Sequence, residues 1–414
     1  MRRQYRFWIF CLFLIFVFLS RGLFLAVPSD KVFDEVHYVK AASFYLTGQE
    51  DPNWEHPPMG KMFIALGMYL FGDNPIGWRF FPYIFGCLSA LLVFLIARAL
   101  KLGFTSSIIA GFLFSWDYLA FVQGRMAMLD VFVAFFILLS LWGAARFYRS
   151  RSRADFFITL VALGLALASK WSALYPAVLL AVFFLFFRPF FSGKRGFKFF
   201  LANLLLVGLC SLIVVGGIYI FSYVYYFSFG HSFSDFVKFH KDAFAWHTRP
   251  NIEHPYASQW WTWPLMLKGV WYYYKTTPEG FTEGILAIGN PFLWYLGGIT
   301  LLLFLISLPF WVKKSYRIAP AFNLLGYGSN FLPWITSSKG GFIFYMLPAI
   351  PFYALSLAFL LERMWKSKVG RKFGWAVVLL TFLAFALFYP LLTGLPVYQE
   401  SFLRNLWSGN FFRF

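Results

Sequence analysis

Two adjacent acids and a basic turn stand out in a chain that otherwise avoids charge. Asp34 and Glu35 lie in Phe33-Asp34-Glu35-Val36-His37-Tyr38, just past an apolar run over residues 7–27. Glu55-His56-Pro57-Pro58-Met59-Gly60-Lys61 follows. Ionisable groups at the edge of a membrane are costly and usually mark function. A carboxylate there can accept a proton from a hydroxyl during group transfer. On a helix, neighbouring residues point about 100° apart, so Asp34 and Glu35 do not aim at one atom. One acid then faces a reaction centre while the other holds the scaffold or a second loop. The plainer alternative is a helix cap or a surface acid pair.

A second group lies in Gln123-Gly124-Arg125-Met126-Ala127-Met128-Leu129-Asp130, with Asp117 a little before it. Arg125 and Asp130 either pair with each other to close a helix turn or converge with the first loop on an anionic headgroup. Lys61, Arg79, Arg125, Lys170 and Lys339 all fall near the same membrane boundary. Each alone can snorkel towards water. Together they suit a lipid phosphate by charge and donor geometry. His37, His56, His231, His240, His247 and His254 fall on the same side, and His56 adjoins Glu55. None has the close His-Glu-x-x-His spacing of a zinc site, so no metal is expected.

The elements that position these residues are membrane helices. Of the 414 residues 60% are hydrophobic, 24% aromatic and only 13% charged, which excludes an ordinary soluble domain. Apolar runs place eleven spans, near residues 7–27, 78–99, 105–122, 127–146, 155–169, 171–188, 199–222, 285–311, 318–336, 342–361 and 373–393. The expected fold is an all-α polytopic membrane protein. With Met1 inside, the inner segments hold 21 of the 36 basic residues and two of the 17 acids, Asp155 and Glu362. That asymmetry sets the N-terminus in the cytoplasm and places Asp34 and Glu35 outside. The +19 net charge therefore reflects loops that meet anionic lipid heads, and no nucleic-acid partner is expected. The first span lacks a small-x-small cleavage site and reads as an anchor. Cys11, Cys87 and Cys210 all sit in apolar spans, unlike a disulfide framework or metal site.

Three regions follow. Residues 1–222 form an N-terminal transmembrane half whose first outer loop, 28–76, carries the acids. Residues 223–284 form a long outer loop rich in Trp, Tyr and His. Residues 285–414 supply four spans and an outer tail. Within the first loop, 30–48 reads as a short amphipathic helix ended by Gly48. Residues 57–71 read as a second, interfacial helix, with Pro at its start and Gly72 at its end. In the long loop, Gln259-Trp260-Trp261-Thr262-Trp263-Pro264 and Trp271-Tyr272-Tyr273-Tyr274-Lys275 read as an interfacial belt or as the wall of a substrate groove.

Taken together, the motifs resemble those of the protein O-mannosyltransferase family, membrane enzymes of the GT-C fold. The pieces are Phe33 to Tyr38; His56-Pro57-Pro58-Met59-Gly60-Lys61; Phe71-Gly72-Asp73-Asn74-Pro75 with Gly77-Trp78-Arg79; Gln123-Gly124-Arg125 with Leu129-Asp130; His254-Pro255-Tyr256 leading to Trp263-Pro264; Ile288-Gly289-Asn290-Pro291; and Phe342 to Pro348. The resemblance implies mannose transfer from a polyprenyl-phosphate mannose to Ser or Thr hydroxyls of translocated proteins, on the outer face of the cell membrane. It implies Asp34 as general base and Glu35 as its partner. It implies Lys61, Arg79, Arg125, Asp130 and Lys339 at the donor phosphate and sugar, and Glu55, His56, His254 and Asn290 lining the cavity. A single displacement would invert the anomeric centre, with no cofactor and no metal. Lys339 stands where the family usually has Arg, and the luminal β-trefoil of eukaryotic members is absent, as in a compact prokaryotic member. Aminoarabinose-type lipid-linked sugar transferases, which usually lack Gly-Lys after the Pro-Pro turn, are the nearest alternative. A lipid-linked sugar transporter is a more distant one, since no internal repeat is visible.

Overall fold

The computed structural model describes residues 2–187, 196–248, 254–311, 318–336 and 340–398. The expected donor contact at Lys339 lies outside them. The chain folds as helices α1 (Arg2–Gly22), α2 (Glu35–Thr47), α3 (Met59–Phe71), α4 (Pro75–Ala99), α5 (Phe104–Ser115), α6 (Tyr118–Gln123), α7 (Leu129–Ser150) and α8 (Arg153–Leu167). After these come α9 (Leu174–Val182), α10 (Phe197–Ser211), α11 (Gly217–Ser222), α12 (Val224–Ser228) and α13 (Phe233–Thr248). The last are α14 (Pro291–Trp311), α15 (Ile318–Phe331), α16 (Ile350–Met364) and α17 (Lys368–Thr393). Among the described residues, six helical segments are long and apolar enough to cross a membrane unaided. They are Gln4–Gly22, Pro75–Ala99, Leu129–Ser150, Phe197–Ser222, Pro291–Leu308 and Lys368–Thr393. Exposed Leu, Ile, Val and Phe cover α1, α10, α14 and α17, a surface that suits lipid rather than water.

Several expected spans are interrupted, each for a local reason. The run at 105–122 breaks at Trp116-Asp117, where the Asp117 side chain accepts the Ala120 N–H at 2.9 Å and caps α6. The run at 285–311 begins later. Phe281–Ala287 is strand β2, paired antiparallel to β1 (Val270–Thr276) and to the short β3 (Val397–Tyr398). Among the described residues, this three-stranded sheet, ordered β1-β2-β3, is added to otherwise helical structure. α14 starts only after Asn290. Asn290 donates to the carbonyls of Trp116 and Thr381 at 3.0 and 3.1 Å, and its Oδ1 accepts the Phe292 N–H. Asp117 also accepts the Asn290 N–H at 3.1 Å and the Trp294 indole N–H at 2.6 Å. Asn290 was expected to line the cavity. Its amide is instead fully buried and committed to a joint between α5, α14 and α17.

The two loop helices follow their end signals. α2 ends at Gly48, left-handed at φ +71°, and α3 ends at Gly72, φ +87°. α3 buries Gly60, Lys61, Ile64, Ala65, Gly67 and Met68 and leaves Leu66, Tyr69 and Leu70 exposed. α4 crosses the α6–α7 connection at glycine. A Cβ on Gly86 would lie 2.6 Å from the Gly124 Cα, so only glycine allows the backbone next to Arg125 to come this close.

Candidate active site

Glu35 and Arg79 form the fixed frame. Both are fully buried. Arg79 Nε donates to Glu35 Oε1 and Nη2 to Oε2, both at 2.9 Å. Glu35 Oε1 also accepts the Ala127 N–H at 2.8 Å, and Oε2 accepts the Val32 N–H at 3.0 Å. The remaining Arg79 donors reach the carbonyls of Leu25, Pro28 and Asp30. One carboxylate thus fastens the first loop to α4 and to the α6–α7 connection. This bidentate, hydrogen-bonded pair satisfies what a buried ion pair demands.

Phe33, on the other side of Asp34, is fixed as well. Its backbone is left-handed at φ +46°, a conformation that costs a side-chain-bearing residue about 1–2 kcal/mol. Its ring stacks on Tyr272 of β1, centroids 4.6 Å apart and 5° from parallel. Tyr272 accepts a 2.7 Å hydrogen bond from Gln123. Asp34 stands between these two anchors at the start of α2, and its side chain makes no helix-capping bond. Its carboxylate is stabilised by the Tyr38 hydroxyl, one turn along α2, and feels the charges of Lys170 and Asp130. Burial raises its pKa to about 6, against the opposing pull of Lys170 and His37.

Asp130, in the first turn of α7, is buried and receives Lys170 Nζ on both carboxylate oxygens at 2.9 Å. Lys170 also lies over the Tyr345 ring, 5.1 Å from its centroid. Tyr345 in turn stacks on Trp334 at 4.4 Å. A cavity opens at the Asp130–Lys170 pair, with Ser172, Tyr175, Asn330 and Trp334 among its walls. The Trp-rich segment backs it. Trp263 is buried, with its ring 6.0 Å from Tyr345, whereas Trp261 is exposed.

Among the described residues, the other expected cations, Arg125, Lys61 and Arg79, have partners inside the protein. Arg125 does not pair with Asp130. Its Nη1 binds the carbonyls of Arg21 and Leu23 and its Nη2 that of Phe24, so it closes the C-terminal end of α1. Lys61 is fully buried and ties together Asp51 and the carbonyls of Asn53 and His56. Arg79 is held by Glu35. Lys170 was one of five boundary cations in the sequence and was not singled out for the donor, yet among the described residues it is the one found at the cavity.

His56 adjoins the site, its ring 6.1 Å from that of Tyr38 and 5.4 Å from that of His247. Burial pushes its pKa well below the usual histidine range, so it is neutral at pH 7. The backbone carbonyl of Glu55 accepts from His247 at 2.8 Å. His254 is exposed, with its ring 5.0 Å from Phe342. Among the described residues, no group of three or more His, Cys, Asp or Glu is placed to hold a metal ion. Sequence reasoning passed over Tyr38, Asn330 and Tyr345. Tyr38 had a signal, since it lies four residues after Asp34 and so on the same helix face.

Three family profiles match in succession along the chain. Two are described as dolichyl-phosphate-mannose-protein mannosyltransferase, over residues 11–78 and 55–219. The third, over residues 232–411, is the C-terminal four-transmembrane region of protein O-mannosyltransferase. The polyprenol-phosphate-mannose–protein mannosyltransferase of Mycolicibacterium smegmatis is 28% identical over 94% of this chain and 90% of its own length. The protein of that name from Corynebacterium glutamicum is 28% identical over 85% and 81%. Among solved structures, the S. cerevisiae protein O-mannosyltransferase Pmt1–Pmt2 complex bound to the sugar donor superposes with TM-score 0.80. It is 15% identical and covers 94% of this chain and 90% of that one. ArnT from Cupriavidus metallidurans bound to undecaprenyl phosphate gives 0.59 at 16% identity, over 85% and 60%. The fold and site describe a multi-pass membrane protein of the GT-C glycosyltransferase type, and the chain belongs to the protein O-mannosyltransferase family.

The frame predicts a split between neighbours. Glu35→Ala leaves Arg79 buried without its carboxylate, a loss on the order of 3–5 kcal/mol. Thermal unfolding in detergent then shows a large drop in midpoint for Glu35→Ala and little change for Asp34→Asn.

Proposed function

We propose that the chain transfers mannose from a polyprenyl-phosphate mannose to a Ser or Thr hydroxyl of a protein, with Asp34 as the general base. The activity is the one its bacterial relatives carry by name. The observation that carries the role of Asp34 is its contrast with Glu35. Glu35 has both oxygens fully engaged, whereas Asp34 is half-buried, feels the charges of Lys170 and Asp130 at the cavity, and has a pKa of about 6. It is ionised at neutral pH yet basic enough to take a proton as the new bond forms.

In this reading the acceptor oxygen attacks the anomeric carbon from the face opposite the phosphate. The carbon–oxygen bond to the acceptor forms as that to the phosphate breaks, and the acceptor proton passes to Asp34. The product is inverted at the anomeric centre. Charge builds on the departing phosphate, which calls for a cation fixed in advance. Lys170 suits that role, since it faces the cavity and Asp130 holds its ammonium in place. Arg79, Arg125 and Lys61 act one layer back, shaping the first loop and the end of α1. Lysine and aromatic walls supply the electrostatics, and no metal is needed. The basic residues gathered at the opposite loops support a cytoplasmic N-terminus and a site on the extracytoplasmic face of the cell membrane.

The first test is transfer of labelled mannose from the polyprenyl donor to a Ser/Thr peptide by purified protein. Asp34→Asn abolishes it while donor binding persists; wild-type turnover by a folded Asp34→Asn protein removes Asp34 from the base role. Because the base acts as carboxylate, wild-type rate rises with pH through about 6 and levels off above that. Tyr38→Phe moves this limb to higher pH, because the Tyr38 hydroxyl favours the ionised form of Asp34. Lys170→Met lowers turnover about 100-fold, and Lys170→Arg restores part of it. Unchanged turnover in a folded Lys170→Met protein rules out the phosphate role. Chelators leave the rate unchanged, whereas loss restored by one divalent cation contradicts the metal-free mechanism.

A further inference from the structure

Helix α13 has two distinct sides, and the transfer mechanism uses neither. Phe236, His240, Ala243 and His247 recur at intervals of four, three and four, so they share one side of the helix. That side packs on the surroundings of the site. Phe236 and Ala243 are buried, and the Phe236 ring meets that of Tyr223 at 5.0 Å. His240 Nδ1 donates to the Phe236 carbonyl, and its Nε2 accepts from the Tyr219 hydroxyl, both at 2.8 Å. Trp171, the neighbour of Lys170, donates its indole N–H to the same hydroxyl at 2.7 Å. Two turns further along, His247 donates to the Glu55 carbonyl, beside His56. α13 therefore bridges the segment behind Lys170 and the turn before α3.

The adjoining side faces outward. Phe233, Val237 and Phe244 form a ridge there and are 63%, 40% and 63% exposed. Such a ridge suits water poorly. What lies against it follows from the surface it continues. Leu212, Ile213, Phe221 and Val224 are exposed on the span Phe197–Ser222 and on α12 just after it, the lipid-facing surface that leads into α13. The charges are sorted to match. At about 100° per residue, Lys241 borders the ridge and Lys238 comes next, whereas Asp242 and Asp235 fall on the opposite side. All four are exposed. A helix with an apolar strip, lysines along its border and acids turned away is arranged to lie along an anionic lipid surface. We propose that the α13 ridge sits in the leaflet on the site's side, with Lys238 and Lys241 among anionic headgroups, and that this docking clamps α13 onto Trp171 and Glu55. The docking stands by itself; its effect on turnover rests on the mannosyl-transfer reading.

The experiment uses the full chain in lipid nanodiscs, with a fluorescent dye attached at Phe244→Cys or, on the far side of the helix, at Asp242→Cys. The unsubstituted chain, with three cysteines of its own, supplies the background. A nitroxide-bearing lipid is expected to quench the dye at 244, and a water-soluble nitroxide the dye at 242. Phosphatidylglycerol in the disc raises the lipid-to-aqueous quenching ratio at 244, by up to about fivefold for each lysine. Lys238→Glu together with Lys241→Glu removes that rise. Aqueous quenching at 244 overturns the docking. Quenching by neither reagent means that protein covers the ridge, and overturns it too. No response to phosphatidylglycerol overturns the headgroup role of the lysines. Phe244 lies outside the packed side, so Phe244→Glu tests the clamp without opening the core. It lowers kcat/KM for mannosyl transfer about tenfold in discs, the fold-change of losing part of one phenylalanine's burial; wild-type turnover overturns the clamp. The expected quenching pattern, with no mannose transferred by the wild-type chain, leaves the docking standing and overturns the mannosyl-transfer reading instead.

Discussion

The first loop depends on one carboxylate whose two oxygens are both engaged. Glu35 gathers two guanidinium donors and two backbone N–H groups from three separate parts of the chain. Its Arg79 partner gathers three more carbonyls from the segment that leads to Asp34. That segment has no secondary structure of its own, so its shape comes from this pair. The stack of Phe33 on Tyr272 fixes the other flank and supports a backbone conformation that Phe33 would otherwise avoid. Asp34 is therefore aimed by its neighbours on both sides and spends no oxygen on capping α2.

The same economy explains why so many cations surround a site that needs few. Arg125 reaches back to the carbonyls of Arg21, Leu23 and Phe24, where α1 ends and its acceptors lack helical partners. Lys61 does the same for the loop before α3. In lipid, an unsatisfied carbonyl is far costlier than in water, so irregular backbone near the membrane attracts buried Arg and Lys. These residues are part of the site's construction. Lys170 differs because its partner is the carboxylate of Asp130 and its surroundings include an open cavity.

What the sequence made legible were features with local causes. The helices after Asp34 and after Pro58, and their ends at Gly48 and Gly72, follow from periodicity and from the left-handed preference of glycine. The separate orientation of Asp34 and Glu35 follows from the 100° step of a helix. The family was legible because seven short motifs occur in order. The span limits near Asp117 and Asn290 were not, because those breaks are set by contacts across some 170 residues of chain. The sheet was missed because Gly284-Ile285-Leu286-Ala287 is apolar enough to extend a membrane helix, and only pairing with β1 makes it a strand. The partners of the cations were hidden for the same reason. Arg125 finds acceptors about a hundred residues away, and Lys170 finds Asp130 forty residues away.

A pKa of about 6 on Asp34 is itself a compromise that the layout enforces. Burial alone would push the carboxyl higher and leave it protonated at neutral pH, useless for accepting a proton. An unshielded Lys170 would pull it lower and leave it a poor base. Asp130 stands between these limits. By pairing with Lys170 on both oxygens it damps the lysine's pull, and by its own charge it lifts Asp34 slightly further. A phosphate arriving at Lys170 brings further negative charge to the same place. In the proposed mechanism, donor binding then raises the basicity of Asp34 at the moment when a hydroxyl must lose its proton. Asp34 and Lys170 are thus coupled through one buried aspartate, so in that mechanism neither can be retuned without moving the other.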